Sequence, residues 1–273
     1  MIEYREYAPP PDLADAVRCI WFLAATPGAT APQRILPDGC VELVFNFADP
    51  FEDLDSGATR AQPRQLVVGP LSRHMLIRPT GAVDLAGIRL QPGGAPAFFA
   101  GPLGEWRDRT GGLDDTPHRF EEALWERAAE VHEHTARRDV ILAGLRRARG
   151  DVVPDRQVVV ACRLVAASGG RRSIDGLARA MGTTPRTLER LFDRHVGMPP
   201  KRLARLERFQ AVLRRAGDGG DLRGLRDAAL AAGYFDQAHF LREFRAFAGV
   251  SPSTFFGRED NAMSSAFTGA ADS

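Results

Sequence analysis

Apolar residues fall in short runs over the first hundred positions and at helical spacing after that. Val17–Ala25, Cys40–Phe47, Gln65–Val68, Met75–Arg78 and Val83–Leu90 are rich in Val, Ile, Leu and Phe. Turn signals separate them at Pro27-Gly28, Pro37-Asp38-Gly39, Gly69-Pro70, Pro79-Thr80-Gly81 and Pro92-Gly93-Gly94. Short strands with regular breaks predict a small antiparallel sandwich or barrel, with the polar stretch Asp49–Pro63 as a loop.

From about residue 95 the period lengthens. Thr116-Pro117 reads as an N-cap followed by proline at the first helical position, and Phe120, Leu124, Ala128 and Val131 then recur at helical spacing toward Thr135. A second helix is expected over Arg137–Arg149, ending at Gly150, and a third from Pro154 to Ser168, ending at Gly169-Gly170. The pattern divides the chain into a β-rich domain over 1–115, a helical connector over 116–168, an all-α domain over 169–256 and a tail over 257–273. The fold class is α+β.

Within the last domain the sequence repeats. A shift of 52 residues carries Leu188, Arg190, Phe192, Gly197 and Pro200 onto Phe240, Arg242, Phe244, Gly249 and Pro252. Each copy begins with a short Ala/Leu-rich helix, Ile174–Met181 or Leu222–Ala232, that stops at a glycine. A second helix follows, capped by Thr184 ahead of Pro185 in one copy and by Asp236 in the other. That is the helix-turn-helix pattern, present twice and joined by one helix from about Pro200 to Ala216. In the first copy Leu188, Leu191 and Phe192 share the core side, so Arg186, Glu189, Arg190 and Asp193 share the opposite one. In the second, Phe240, Phe244 and Phe247 form the core stripe, and Gln237, Ala238, Leu241, Arg242 and Arg245 face out. A leucine on an outward face suits contact with a thymine methyl group.

Charge sharpens this division. Residues 1–150 hold 17 Arg against 21 acids, a net of −4, whereas 151–258 hold 19 Lys and Arg against 11 acids, a net of +8. The last fifteen residues add three acids and bring the chain to +1. A basic back half fits a polyanionic partner. Nothing approaches the ~18–20 apolar residues of a membrane span, and the N-terminus is too polar for a signal peptide. Cys19, Cys40 and Cys162 stand too far apart for a zinc or disulfide pattern, so a cytoplasmic protein without metal or cofactor is expected.

The final ~85 residues resemble the DNA-binding domain of the AraC/XylS family of bacterial transcription regulators. The resemblance rests on Ile174-Asp175-Gly176-Leu177-Ala178, on Leu188-Glu189-Arg190-Leu191-Phe192, and most strongly on Ala231 through Phe240, continuing by Phe244-Arg245 to Gly249-Val250-Ser251-Pro252-Ser253. Phe256 departs from it, standing where members often carry a polar residue. The resemblance implies seven helices, with two recognition helices entering successive major grooves ~34 Å apart on double-stranded DNA. By motif position the base readers are Arg186, Glu189 and Arg190 in one helix and Gln237, Ala238, Leu241 and Arg242 in the other. Arginine can bond guanine O6 and N7, glutamate cytosine N4, and glutamine adenine. Arg194, Lys201, Arg202 and Arg245 are candidates for phosphate, which positions without specifying. His239 reads as a packing residue.

Residues 15–110 resemble, over Leu36–Phe47, Gly69-Pro70-Leu71, Ile77–Gly81 and Gly87–Gly94, an uncharacterised N-terminal domain seen ahead of AraC-type domains. That implies architecture rather than a ligand. The whole reads as a one-component, sequence-specific transcription regulator with an effector or dimerisation module. Its partners would be DNA, an unknown small molecule, RNA polymerase and a second copy of the chain. Asp38, Glu42 and Arg89, polar groups in or beside apolar strands, are the candidate effector pocket, against the alternative of a plain turn and a structural ion pair. Catalysis is not expected. Only His74 lies among the strands as a ligand for a cupin-like metal, and Cys40 sits in an apolar strand rather than beside activating groups. The rival reading is a ligand-binding or catalytic barrel whose degenerate helix-turn-helix domain serves protein interaction.

Overall fold

The structure is a computed structural model, described here for residues 2–26, 31–55, 59–216 and 222–257. Among these residues the chain forms ten strands and nine α-helices. The strands are β1 (Ile2–Tyr7), β2 (Val17–Ala25), β3 (Gln33–Ile35), β4 (Glu42–Asn46), β5 (Phe51–Asp53), β6 (Arg60–Ala61), β7 (Gln65–Val68), β8 (Met75–Pro79), β9 (Val83–Leu90) and β10 (Thr110–Gly112). They build a six-stranded sheet in the order β1-β2-β9-β4-β7-β10 and a four-stranded sheet in the order β3-β8-β5-β6. All their pairings are antiparallel. The predicted sandwich is therefore present. Short strands also occupy part of the expected loop over 49–63.

The larger sheet is covered on both faces, which explains why its strands read as nearly unbroken apolar runs. Successive residues alternate between two cores. Ile20, Phe22, Leu43, Phe45, Ala86 and Ile88 face the helices α1 (Leu124–Ala129) and α2 (His134–Arg149). Cys19, Trp21, Leu23, Leu66, Val68 and Leu85 face the smaller sheet. Gly87 is required here, since a Cβ on it would lie 2.0 Å from the Trp21 ring that crosses it.

The connector divides between the two domains. α1 and α2 pack on the sheet, and Arg137 of α2 is fully buried. It bonds Asp84 at 2.8 Å and the carbonyls of Ala128 and Val131, with its guanidinium over the Phe47 ring. α3 (Arg156–Ala167) instead lends Val158, Ala161, Cys162 and Val165 to the C-terminal core. The helix expected from Pro117 does not begin there. Thr116 turns its hydroxyl back onto the Leu113 carbonyl, Phe99 and His118 form a β-bridge, and Phe120 stacks on Phe98, so the chain stays irregular until Leu124.

The C-terminal domain adds α4 (Ile174–Ala180), α5 (Pro185–His195), α6 (Pro200–Ala216), α7 (Leu222–Ala231), α8 (Gln237–Ala248) and α9 (Pro252–Phe256). With α3 these are the seven expected helices, and α9 forms despite Phe256, which packs against the core. Leu203, Leu206, Phe209 and Val212 run the length of α6 through the centre. The expected tail beyond Gly257 lies outside the described residues. Among the described residues, no helix is long and apolar enough to cross a membrane.

Candidate nucleic-acid interface and intersheet cavity

Local chemistry starts α5 and α8, the second helices of the two units, where the sequence placed them. Thr184 Oγ1 accepts from the Thr187 N–H ahead of α5, with Pro185 at its first position. Asp236 Oδ1 accepts from the His239 N–H at 2.6 Å ahead of α8. Each cap satisfies one of the amide donors that a helix start leaves over. Gly197 and Gly249, at φ +82° and +72°, follow the two helices in the left-handed region where a Cβ is strained.

Leu188 and Phe192 are buried in α5, as are Phe240, Phe244 and Phe247 in α8. On the opposite sides Arg186, Glu189, Arg190 and Arg194, and Gln237, Ala238, Arg242 and Arg245, are exposed. Lys201 at the start of α6 is exposed too. Two residues differ from expectation. Leu241 is half-buried and packs against the core, so only part of it faces out. Arg202 is also half-buried, and its Nη2 donates to Ser72 Oγ of the β-domain at 3.0 Å. Its charge is held between the domains and away from the open face. His239 stacks edge-on against Tyr234.

The second site lies between the two sheets. A cavity of about 90 Å³ has apolar walls that include Trp21, Val44 and Leu66 from the larger sheet and Phe51, Met75 and Ile77 from the smaller one. Strand pairing sets Glu42 opposite Arg89, and period-2 alternation turns both toward this space. Arg89 Nε lies 2.5 Å from Glu42 Oε1 and 3.2 Å from Asp38 Oδ2. The three residues singled out in the sequence thus meet at one end of the cavity, as an ion-paired cluster. Burial pushes the Glu42 carboxyl above the usual carboxylate range, with the Arg89 guanidinium opposing it. Burial also raises the Cys40 thiol well above its ordinary value, so no thiolate is prepared there. Among the described residues no cluster of His, Cys, Asp and Glu could hold a metal ion.

Sequence reasoning missed the residues that join the two sites. Gln210 and Arg214 of α6 line the same cavity, and Gln210 Nε2 donates to the Pro37 carbonyl at 2.8 Å. Arg107 pairs with Asp193 on α5 at 2.7 Å. These contacts span 86 to 173 positions of sequence and leave no periodic trace.

Comparison with known proteins agrees with this architecture. Residues 5–111 match the family described as a domain of unknown function (DUF6597), and residues 177–258 match a helix-turn-helix domain. Two XylDLEGF operon transcriptional activators of Pseudomonas putida, 1 and 3, are each 30% identical over 82 residues, which are 30% of this chain and 25% of theirs. The chain thus spans about a quarter of the length of these curated relatives. A solved structure of ToxT from Vibrio cholerae shares the fold at 8% identity and a TM-score of 0.50, covering 94% of this chain and 97% of that one. Residues 177–258 are thus similar to a helix-turn-helix domain, set behind a segment similar to the domain of unknown function DUF6597.

Proposed function

We propose that the protein is a sequence-specific DNA-binding regulator of transcription in the cytoplasm, and that the intersheet cavity seats a small-molecule effector. The observation that carries the reading is the pair of capped helices, α5 and α8, each burying one face in a shared core and leaving a polar, arginine-bearing face open. In this reading Arg186, Glu189, Arg190, Gln237, Ala238, Arg242 and the outward part of Leu241 read bases, while Arg194, Lys201 and Arg245 meet phosphates. RNA polymerase and a second copy of the chain are the further partners that such a role brings.

An effector role for the cavity is supported by its apolar walls, its polar end and one orphan donor. Gln62 Nε2 is buried at the wall with no hydrogen-bond partner. A buried donor left unsatisfied costs ~1–3 kcal/mol, which a ligand acceptor would relieve. No reaction is assigned to the site.

Selection of bound fragments from genomic DNA by the full chain tests the DNA reading. A recurring bipartite sequence is expected, with affinity that falls steeply as salt rises through counterion release. Binding that ignores sequence overturns it. Thermal-shift screening of the full chain against metabolites tests the cavity, and silence across a broad library counts against a small-molecule effector.

A further inference from the structure

The β-domain holds both recognition helices, and it holds each through a different sheet. α5 is held from the side of the larger sheet. Arg107, three residues ahead of β10, donates from Nε to the Gly197 carbonyl at 2.6 Å and from Nη2 to Asp193 Oδ1 at 2.7 Å. α5 also packs on the turn Leu103–Trp106, and a Cβ on Gly197 would meet Pro70, just past β7, at 2.5 Å. α8 is held from the smaller sheet. Arg34 of β3 donates from Nη1 to the Ala248 carbonyl at 2.8 Å, and the His74 N–H, next to β8, donates to the Phe247 carbonyl at 2.7 Å.

Apart from the Asp193 carboxylate, these holds take carbonyls at or just past the C-terminal ends of the helices, where the helix itself supplies no donors. The N-terminal halves, with Arg186, Glu189 and Gln237, stay open. Between the two sheets lies the cavity, and the segment 69–74 is the chain link from one hold to the other. The two sheets on either side of the cavity thus contact different recognition helices, α5 from one and α8 from the other.

We propose that the β-domain sets the spacing between the two half-sites that the chain accepts, with Arg107 and Arg34 as the positioning residues and the cavity as the adjustable gap. The proposal rests on the DNA reading above and extends it. Successive major grooves on one face of a duplex repeat every ~34 Å, and each inserted base pair adds ~3.4 Å and about a tenth of a turn. Small displacements of one recognition helix are thus enough to favour one spacing over its neighbours.

The test uses the full chain and the selected operator, together with operators that carry one base pair more or one fewer between the half-sites. Arg107→Ala removes the hold on α5, and Val44→Phe narrows the cavity from the larger sheet. Each is expected to change the preference for the native spacing about tenfold, the size of one mismatched base pair, while base preference within each half-site stays as in the parent. Loss of a mere phosphate contact would weaken all three operators alike. An unchanged spacing ratio in Arg107→Ala, with its melting temperature kept, overturns the proposal whether or not Val44→Phe folds. If the parent chain selects no sequence at all, the DNA reading fails first and the spacing proposal with it.

Discussion

The two helix-turn-helix units follow one plan with different materials. The first closes on Leu177, Ala178, Leu188 and Phe192, a mostly aliphatic core. The second closes on rings. Phe244 lies 5.7 Å from Phe240, 5.8 Å from Phe255 and 5.4 Å from Phe209 of α6, each at a steep angle. Edge-to-face arrangements of this kind add directional preference to simple burial. Glu243 adds an ion pair from α8 to Arg205 of α6 at 2.5 Å. The first unit meets the β-domain through Arg107 and the turn before it, whereas the second meets it through Arg34 and His74. The outward faces diverge as well. α5 offers Arg186, Glu189 and Arg190, while α8 offers Gln237, Ala238 and a single arginine, Arg242, before its last turn. A duplicated frame can thus keep its geometry while each copy presents different side chains and packs its core from different residues.

The contrast in packing gives the largest expected effect. Phe244→Ala should cost ~3–5 kcal/mol in chemical denaturation, as other buried aromatic truncations do. Leu188→Ala, within the aliphatic core, should cost at least ~1 kcal/mol less, and the reverse order would break the comparison. Next come the two arginines. Arg190→Ala and Arg242→Ala should each lose ~1–3 kcal/mol of discrimination, confined to opposite halves of the operator. Equal loss on cognate and scrambled DNA would remove either from base reading. The caps should differ less. Asp236→Ala and Thr184→Ala are each expected to cost ~1 kcal/mol by thermal melting, with Asp236 the larger because a carboxylate also meets the helix dipole. The smallest effect belongs to Lys201, on the helix that serves both units. Lys201→Ala should weaken every duplex alike and lower the salt slope by about 1. A loss restricted to one half-site would tie it to one unit.

Much of this frame is legible in the sequence. β2, β7 and β9 end at the residues that the apolar runs gave, because strands buried on both faces carry an unbroken signal. Both recognition-helix caps were readable for a different reason, since their chemistry spans three residues. What escaped was short or distant. β1 mixes exposed charges with half-buried residues at the edge of the sheet, and β5 and β6 have three and two residues, too few for a period to emerge. At the candidate sites, exposure of the polar outward residues on α5 and α8 follows from helical spacing alone, while Leu241 packs back against the core. The engagement of Arg202 with Ser72 does not follow from spacing, because its partner lies 130 positions away. Asp38, Glu42 and Arg89 could be named as polar groups among apolar ones, but their convergence on a cavity depends on strand order, which no local pattern encodes.

The split of the connector settles where the molecule can be taken apart. Arg137 fastens α2 to the sheet through Asp84 and Phe47, and α3 belongs to the opposite core, so the seam runs through the few residues from Gly150 to Asp155. A fragment ending near residue 115 would strip the larger sheet of its helical cover and open Phe22, Phe45 and Ile88 to solvent. One ending near 150 keeps that cover. Hybrid chains should therefore be spliced inside the seam, where each half keeps its own helices and loses the contacts made across the domains, those of Leu36, Gln210 and Arg214 among them.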